Sequence, residues 1–117
     1  DDSYNGNPDG AVAAAQVLAR FVGRRRVYVT PGLVEMGSQV QSVHMELGRL
    51  LAASADLVVL TRNSVTLYIA AGLRAAGFPE QNLVWFGSAA ETFAGVGKLL
   101  RPKDVVLFQN DWPDNYL

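Results

Sequence analysis

An open three-layer α/β sandwich around a mostly parallel, Rossmann-like sheet is the fold this sequence predicts, and three observations predict it. Short β-branched and apolar runs alternate with longer segments whose apolar residues recur at helical spacing. The runs Leu57-Val58-Val59-Leu60 and Val105-Val106-Leu107-Phe108 are apolar throughout instead of alternating, the mark of strands buried on both faces. Single helical segments separate successive strands, which calls for right-handed βαβ crossovers.

The first helix is expected from Asn7 to Val22, with Val12, Ala15, Leu18 and Val22 as its apolar stripe. Asn7 suits the N-cap, Pro8 the first helical position, and Asp9 the positive end of the helix dipole. Gly23 stops the helix, and Val27-Tyr28-Val29 forms a strand that Pro31-Gly32 interrupts. A second helix is expected from about Ser38 to Ala53, burying Val40, Val43, Leu47 and Leu50. The strand Leu57–Leu60 follows, then a third helix from Asn63 or Ser64 to Gly77 and a strand at Leu83-Val84-Trp85-Phe86. Ser88-Ala89-Ala90-Glu91 is a capping box opening a fourth helix with Phe93, Val96 and Leu100. Pro102-Lys103-Asp104 turns into the last strand. The reading is four strands and four helices, with a fifth strand expected ahead of Asp1.

Composition narrows the function classes. The chain has 117 residues, half of them hydrophobic and 18% charged, with a net charge of −1. That suits one globular domain with its own core. Arg24-Arg25-Arg26 is the only basic run, too short to point to nucleic acid, and reads as a solvated turn before a strand. There is no cysteine, so disulfides and thiolate metal sites are excluded. No apolar run approaches the roughly 20 residues of a bilayer span. The opening residues are acidic, unlike a signal peptide.

In open parallel sheets, ligands bind beyond the carboxyl ends of the strands. That rule selects the loops 1–7, 30–37, 61–64, 87–88 and 109–117. Their polar residues include Asp2, Tyr4, Asn5, Thr30, Glu35, Arg62, Asn63, Asn110, Asp111 and Asp114. Two readings stand for several of them. Asp2 either binds a ligand or bonds its own loop; Glu35 either meets substrate or serves a helix dipole. Arg62 can hold a carboxylate or phosphate, or simply face solvent. His44, the sole histidine, reads as a surface or packing residue, and Trp85 as core. Trp112, in a polar tail with Tyr116, is a candidate cover for an exposed apolar patch. No phosphate loop, dinucleotide fingerprint, Ser/His/Asp spacing or metal quartet occurs, and Pro31 spoils the Thr30-Pro31-Gly32 turn as a phosphate cradle. The isolated domain is therefore expected to be inactive and to bind ATP weakly.

One string is more specific. Asp2-Ser3-Tyr4-Asn5-Gly6-Asn7-Pro8 closely resembles the segment that opens the C-terminal domain of the Mur ligases of the D-alanyl-D-alanine-adding (MurF) branch. Val34-Glu35-Met36-Gly37, His44 with Leu47-Gly48, Gly72 to Phe78, and Asp104 to Leu107 match the same family in the same order. The resemblance implies the C-terminal part of a three-domain, ATP-dependent, amide-bond-forming ligase of peptidoglycan precursor synthesis, in the cytoplasm. In that family, ATP phosphorylates a substrate carboxylate, and the incoming amine attacks the acyl phosphate. ATP and Mg2+ are held mainly by a central domain, over which this one closes.

The resemblance assigns Asp2 to the ATP ribose and Tyr4, Asn5 and Asn7 to the same nucleotide-facing loop. Glu35, Asn110, Asp111 and Asp114 face the incoming amino acid or dipeptide, which is joined to a UDP-linked muramoyl peptide. No catalytic residue, no metal ligand, no nucleic acid and no membrane insertion are implied for this domain. The last strand departs from the branch. Leu107-Phe108-Gln109-Asn110-Asp111 stands in place of Val-Lys-Gly-Ser-Arg, so a basic loop becomes acidic. Such a loop favours a cationic or neutral group. The competing expectations are a non-catalytic binding domain that keeps this fold and a small flavodoxin-like or receiver-like domain. The receiver version lacks its acid pair.

Overall fold

The computed structural model describes residues 8–32 and 39–109, with Pro8 and Asp9 described by their backbone alone. Within them the elements run α1 (Pro8–Ala19), β1 (Arg26–Thr30), α2 (Val40–Ser54), β2 (Leu57–Thr61), α3 (Thr66–Ala75), β3 (Leu83–Phe86), α4 (Ala89–Leu99) and β4 (Val105–Phe108). The four strands form one sheet in the order β3-β2-β1-β4, every pair parallel. The α/β fold read from the sequence is the fold observed.

Two clusters of buried side chains lie on opposite faces of the sheet. Tyr28, Val58 and Leu60 pack with Ala15, Leu51, Ile69 and Leu73 from α1, α2 and α3. Val27, Val29, Leu57 and Val59 pack with Val96 of α4. The chain thus places β1, β2 and β3 side by side in one direction, then returns across the other face through α4 to set β4 on the far side of β1. That reversal makes a topological switch point between β1 and β4, where open α/β sheets leave a crevice at their carboxyl edge.

Several stripes are rotated from their expected positions. In α1 the buried residues are Ala11, Ala15 and Leu18, while Val12 and Val22 are exposed. The helix ends at Ala19 because Arg20, Phe21 and Arg24 donate to carbonyls three residues back, tightening the chain into turns before Gly23 at φ 90°. In α2 the buried line is His44, Leu47, Gly48, Leu51 and Ser54, so Val40, Val43 and Leu50 flank it. Phe93 of α4 is exposed and stacks on Phe108 with ring centroids 6.1 Å apart. β4 is apolar like β2 yet only half-buried, because it is an edge strand.

The arginine run is structural in part. Arg26 donates Nε to Asp56 Oδ2 and Nη2 to Oδ1, each at 3.0 Å, and its backbone amide adds a bond of 2.8 Å. Arg25 pairs with Asp104 at 2.8 Å, and Asp104 also accepts the Arg101 amide at 2.8 Å. The side-chain hydrogen bond from each arginine, foremost, holds the Asp56 and Asp104 carboxyls below the usual carboxylate range. A carboxyl whose folded pKa is depressed stabilises the fold above its unfolded pKa of about 3.9 and loses that contribution as pH falls through the folded value. Urea midpoints should therefore drop between neutral pH and about pH 3, and the double change Asp56→Asn with Asp104→Asn should flatten that drop. An equally steep acid limb in the double variant would show that other groups set it.

Candidate functional site

At the switch point the carboxyl edge is built on neutral hydrogen bonds. Thr30 ends β1 fully buried, and its Oγ1 donates to the Gln109 carbonyl at 2.9 Å and accepts the Gly32 amide at 3.0 Å. The Gln109 amide donates to the Val29 carbonyl at 2.8 Å, so β1 and β4 are stitched together at the switch point. Gly32 carries φ 98°, and a Cβ there would stand 2.6 Å from Val65 Cγ2, which restricts this turn to glycine.

The next loop is tied to the first. Asn63 Nδ2 donates to the Pro31 carbonyl at 2.8 Å. Its Oδ1 accepts the amides of Val65 and Thr66, both at 2.9 Å, which caps the start of α3. Thr66 Oγ1 donates to the Thr61 carbonyl at 2.6 Å. At α4, Ser88 Oγ accepts the Glu91 amide at 3.1 Å, as the capping box requires. Glu91 reaches back one residue further than expected, to the Gly87 amide at 2.9 Å. These bonds engage the Thr66 and Glu91 amides, two first-turn donors that a phosphate could otherwise meet.

Arg62 is the cation of this edge among the described residues. It is exposed, its amide donates to the Phe86 carbonyl at 2.7 Å, and its guanidinium lies 4.6 Å from the centre of the Trp85 ring. Trp85 is half-buried, packs against the core as expected, and also serves that guanidinium as a stacking partner. Adjacent strands bring the two together through the Thr61↔Phe86 register, a pairing no spacing along the chain discloses.

His44 is fully buried, and its Nδ1 lies 2.6 Å from the Val40 carbonyl. A carbonyl only accepts, so Nδ1 is the protonated nitrogen. The packing reading of this histidine holds, with Nε2 turned toward Gly32 under the edge. Gln109 adds one unusual group: its side-chain Oε1 is buried with no hydrogen-bond partner among the described residues, at the switch point itself.

Asp2, Tyr4, Asn5, Asn7, Glu35, Asn110, Asp111 and Asp114 all lie outside the described residues. The described residues that flank them converge, however. Arg26 at the start of β1 reaches the Ala19 carbonyl, so α1 runs antiparallel to the strands and begins at their carboxyl edge. Gly32 and Gln109 stand at the same edge, on β1 and β4. The three segments carrying the candidate residues therefore all attach to the edge that holds the switch point. Among the described residues no three His, Cys, Asp or Glu side chains are grouped to hold a metal. No described helix is long and apolar enough to cross a membrane.

Known proteins bear on this arrangement. A 60-residue segment is 40% identical to UDP-N-acetylmuramoyl-tripeptide--D-alanyl-D-alanine ligase of Escherichia coli (strain K12), covering 50% of this chain and 13% of that enzyme. The model of the Mur ligase, glutamate ligase domain, matches residues 2–109, from the polar opening loop through β4 to Gln109 at the switch point. With that match running through every strand and helix of the parallel sheet, the chain belongs to the Mur ligase family, as its glutamate ligase domain.

Proposed function

We propose that this chain is the C-terminal domain of an ATP-dependent, amide-bond-forming ligase of peptidoglycan precursor synthesis. In this reading it is one part of a three-domain polypeptide. It closes over ATP and positions the incoming amino acid or dipeptide for attack on an activated UDP-linked muramoyl peptide. The observation that carries the reading is the family match through residues 2–109, which includes the Asp2–Pro8 loop and ends at the switch point.

The physical logic is one of positioning. Joining an amine to an acyl phosphate gains most from holding two reactants in register and excluding water, which a closing domain can do with few contacts. Asp2 would accept from the ribose hydroxyls, with Tyr4, Asn5 and Asn7 in the same loop. Glu35, Asn110, Asp111 and Asp114 would face the amine, where carboxylates favour an ammonium group. Mg2+ and most of the ATP contacts are assigned to the central domain of that three-domain polypeptide.

Steady-state kinetics on the full-length protein test this. One lost charge-assisted hydrogen bond is worth roughly 1.5–3 kcal/mol. Asp2→Ala should then raise the KM for ATP by about tenfold or more, with the melting temperature nearly unchanged. Asp111→Asn with Asp114→Asn should raise the KM for the amine more than that for ATP. A lowered melting temperature with unchanged ATP dependence would assign Asp2 to its own loop and defeat the nucleotide reading. An intact protein with no ligase activity toward any muramoyl peptide would leave the non-catalytic domain as the function.

A further inference from the structure

The edge opposite the switch point carries a feature that amide ligation does not use. Two turns meet there, residues 20–26 after α1 and residues 101–104 before β4. Arg24 Nε donates to the Lys103 carbonyl at 2.7 Å, and Arg25 pairs with Asp104, so the two turns form one surface. Arg20, Arg24, Arg25, Arg26, Arg101 and Lys103 stand on it, against the carboxylates of Asp56 and Asp104. Six cations against two carboxylates leave a local charge of +4 on a chain whose net charge is −1. Both carboxylates are spent on Arg25 and Arg26. Arg20, Arg24, Arg101 and Lys103 are exposed and make no ion pair among the described residues.

Apolar side chains sit among these cations. Val22 is 77% exposed and Phe21 39%, at the tip of the first turn, with Val17 half exposed beside them. A Cβ on Gly23 would meet no atom within 4 Å, so the turn projects into open space. A convex tip bearing an aromatic and a β-branched side chain beside exposed cations has the chemistry of an interfacial anchor. The apolar groups enter the boundary between headgroup and acyl chain while the cations meet lipid phosphates.

We propose that this edge docks the protein on an anionic lipid surface, through Phe21 and Val22 and the four unpaired cations. A flat, adaptable lipid surface fits a convex tip. A nucleic acid would gain from the charges but little from an exposed valine. The docking is peripheral, since no described helix can span a bilayer. It leaves the carboxyl edge facing away from the membrane, open to substrates.

Vesicle flotation of the full-length protein tests the proposal, using phosphatidylglycerol-rich vesicles against pure phosphatidylcholine ones. The protein should float with the anionic vesicles only, and lose that binding as salt is raised. Arg24→Gln with Lys103→Gln should weaken the partition by about tenfold or more, each cation near an anionic surface counting separately. Arg20→Gln with Arg101→Gln should do the same without touching the Arg24 bond to Lys103. Phe21→Ser with Val22→Ser should weaken it several-fold at unchanged charge. No flotation of the wild type overturns the proposal, as does equal flotation of either charge variant or of the serine variant. Retention of a mixed-sequence single-stranded RNA with no vesicle binding also overturns it, in favour of nucleic acid. A lowered melting temperature in these variants with unaltered flotation assigns the cations to fold stability and overturns it too.

Discussion

Replacing Gly72 by alanine should destabilise this domain more than any other single methyl addition in its described helices, with Gly48→Ala close behind. α2 and α3 cross where these two glycines face each other's backbone. A Cβ on Gly72 would run into the Met45 carbonyl and stand 3.0 Å from the Arg49 amide nitrogen. A Cβ on Gly48 would run into the Ile69 carbonyl and stand 2.9 Å from the Leu73 nitrogen. These obstacles are main chain, so no rotamer change relieves them, and the helices must separate. Separation opens the packing of Leu47, Leu51, Ile69 and Leu73 between them. Overpacking of this kind costs about 1–3 kcal/mol, and more where backbone is the obstacle. The helical preference of alanine over glycine returns only about 1 kcal/mol. The net loss should lower the melting temperature by roughly 4–8 °C per kcal/mol. Gly97→Ala, where a Cβ meets nothing within 4 Å, is the control and should stabilise slightly. Equal behaviour of Gly72→Ala and Gly97→Ala in thermal melts would refute the close crossing.

Leu60→Ala should cost about 2–5 kcal/mol, the range for emptying a fully enclosed leucine site, and Leu107→Ala clearly less. The comparison is instructive because both leucines end the same local string, Val58-Val59-Leu60 and Val105-Val106-Leu107. Leu60 lies in β2, between β1 and β3, and is fully buried. Leu107 lies in β4, which pairs with β1 alone, and is half-buried. Truncating Leu60 leaves a cavity walled by two neighbouring strands and the helices above them. Truncating Leu107 leaves a gap at an edge, which side chains and water can partly fill. Urea unfolding of the two variants measures the difference, and equal losses would contradict the sheet order.

The Asp56→Asn and Asp104→Asn substitutions and the ATP-affinity test at Asp2 probe different segments of the chain. The first pair locks the amino edge through Arg26 and Arg25. The second belongs to a segment that enters α1 at the carboxyl edge. Stability and nucleotide binding should therefore separate cleanly between the two sets of variants.

The amino-acid sequence by itself determined the element types, because they depend on neighbours only a few residues away. β3 at Leu83–Phe86 and β4 at Val105–Phe108 fall where their apolar runs stand, and Ser88 caps α4 as Glu91 three residues on implied. Gly77, at φ 86°, ends the third helix as glycine's freedom suggests. The parallel sheet followed from the alternation alone, and the opening motif carried the family. Periodicity could not say which of two adjacent stripes turns inward, so Val12 and Val22 were placed inside and His44 was left between surface and packing. That choice is made by the partner surface and not by the helix. Strand order, too, was decided only in the tertiary structure, since local strings for β2 and β4 are alike. The return through α4 creates the switch point between Thr30 and Gln109. The stacking of Arg62 on Trp85, the glycine crossing of α2 and α3, and the cationic tip at Phe21 and Val22 arise the same way. Each joins residues far apart in the chain, whose contact energy exists only once the sheet has brought them together.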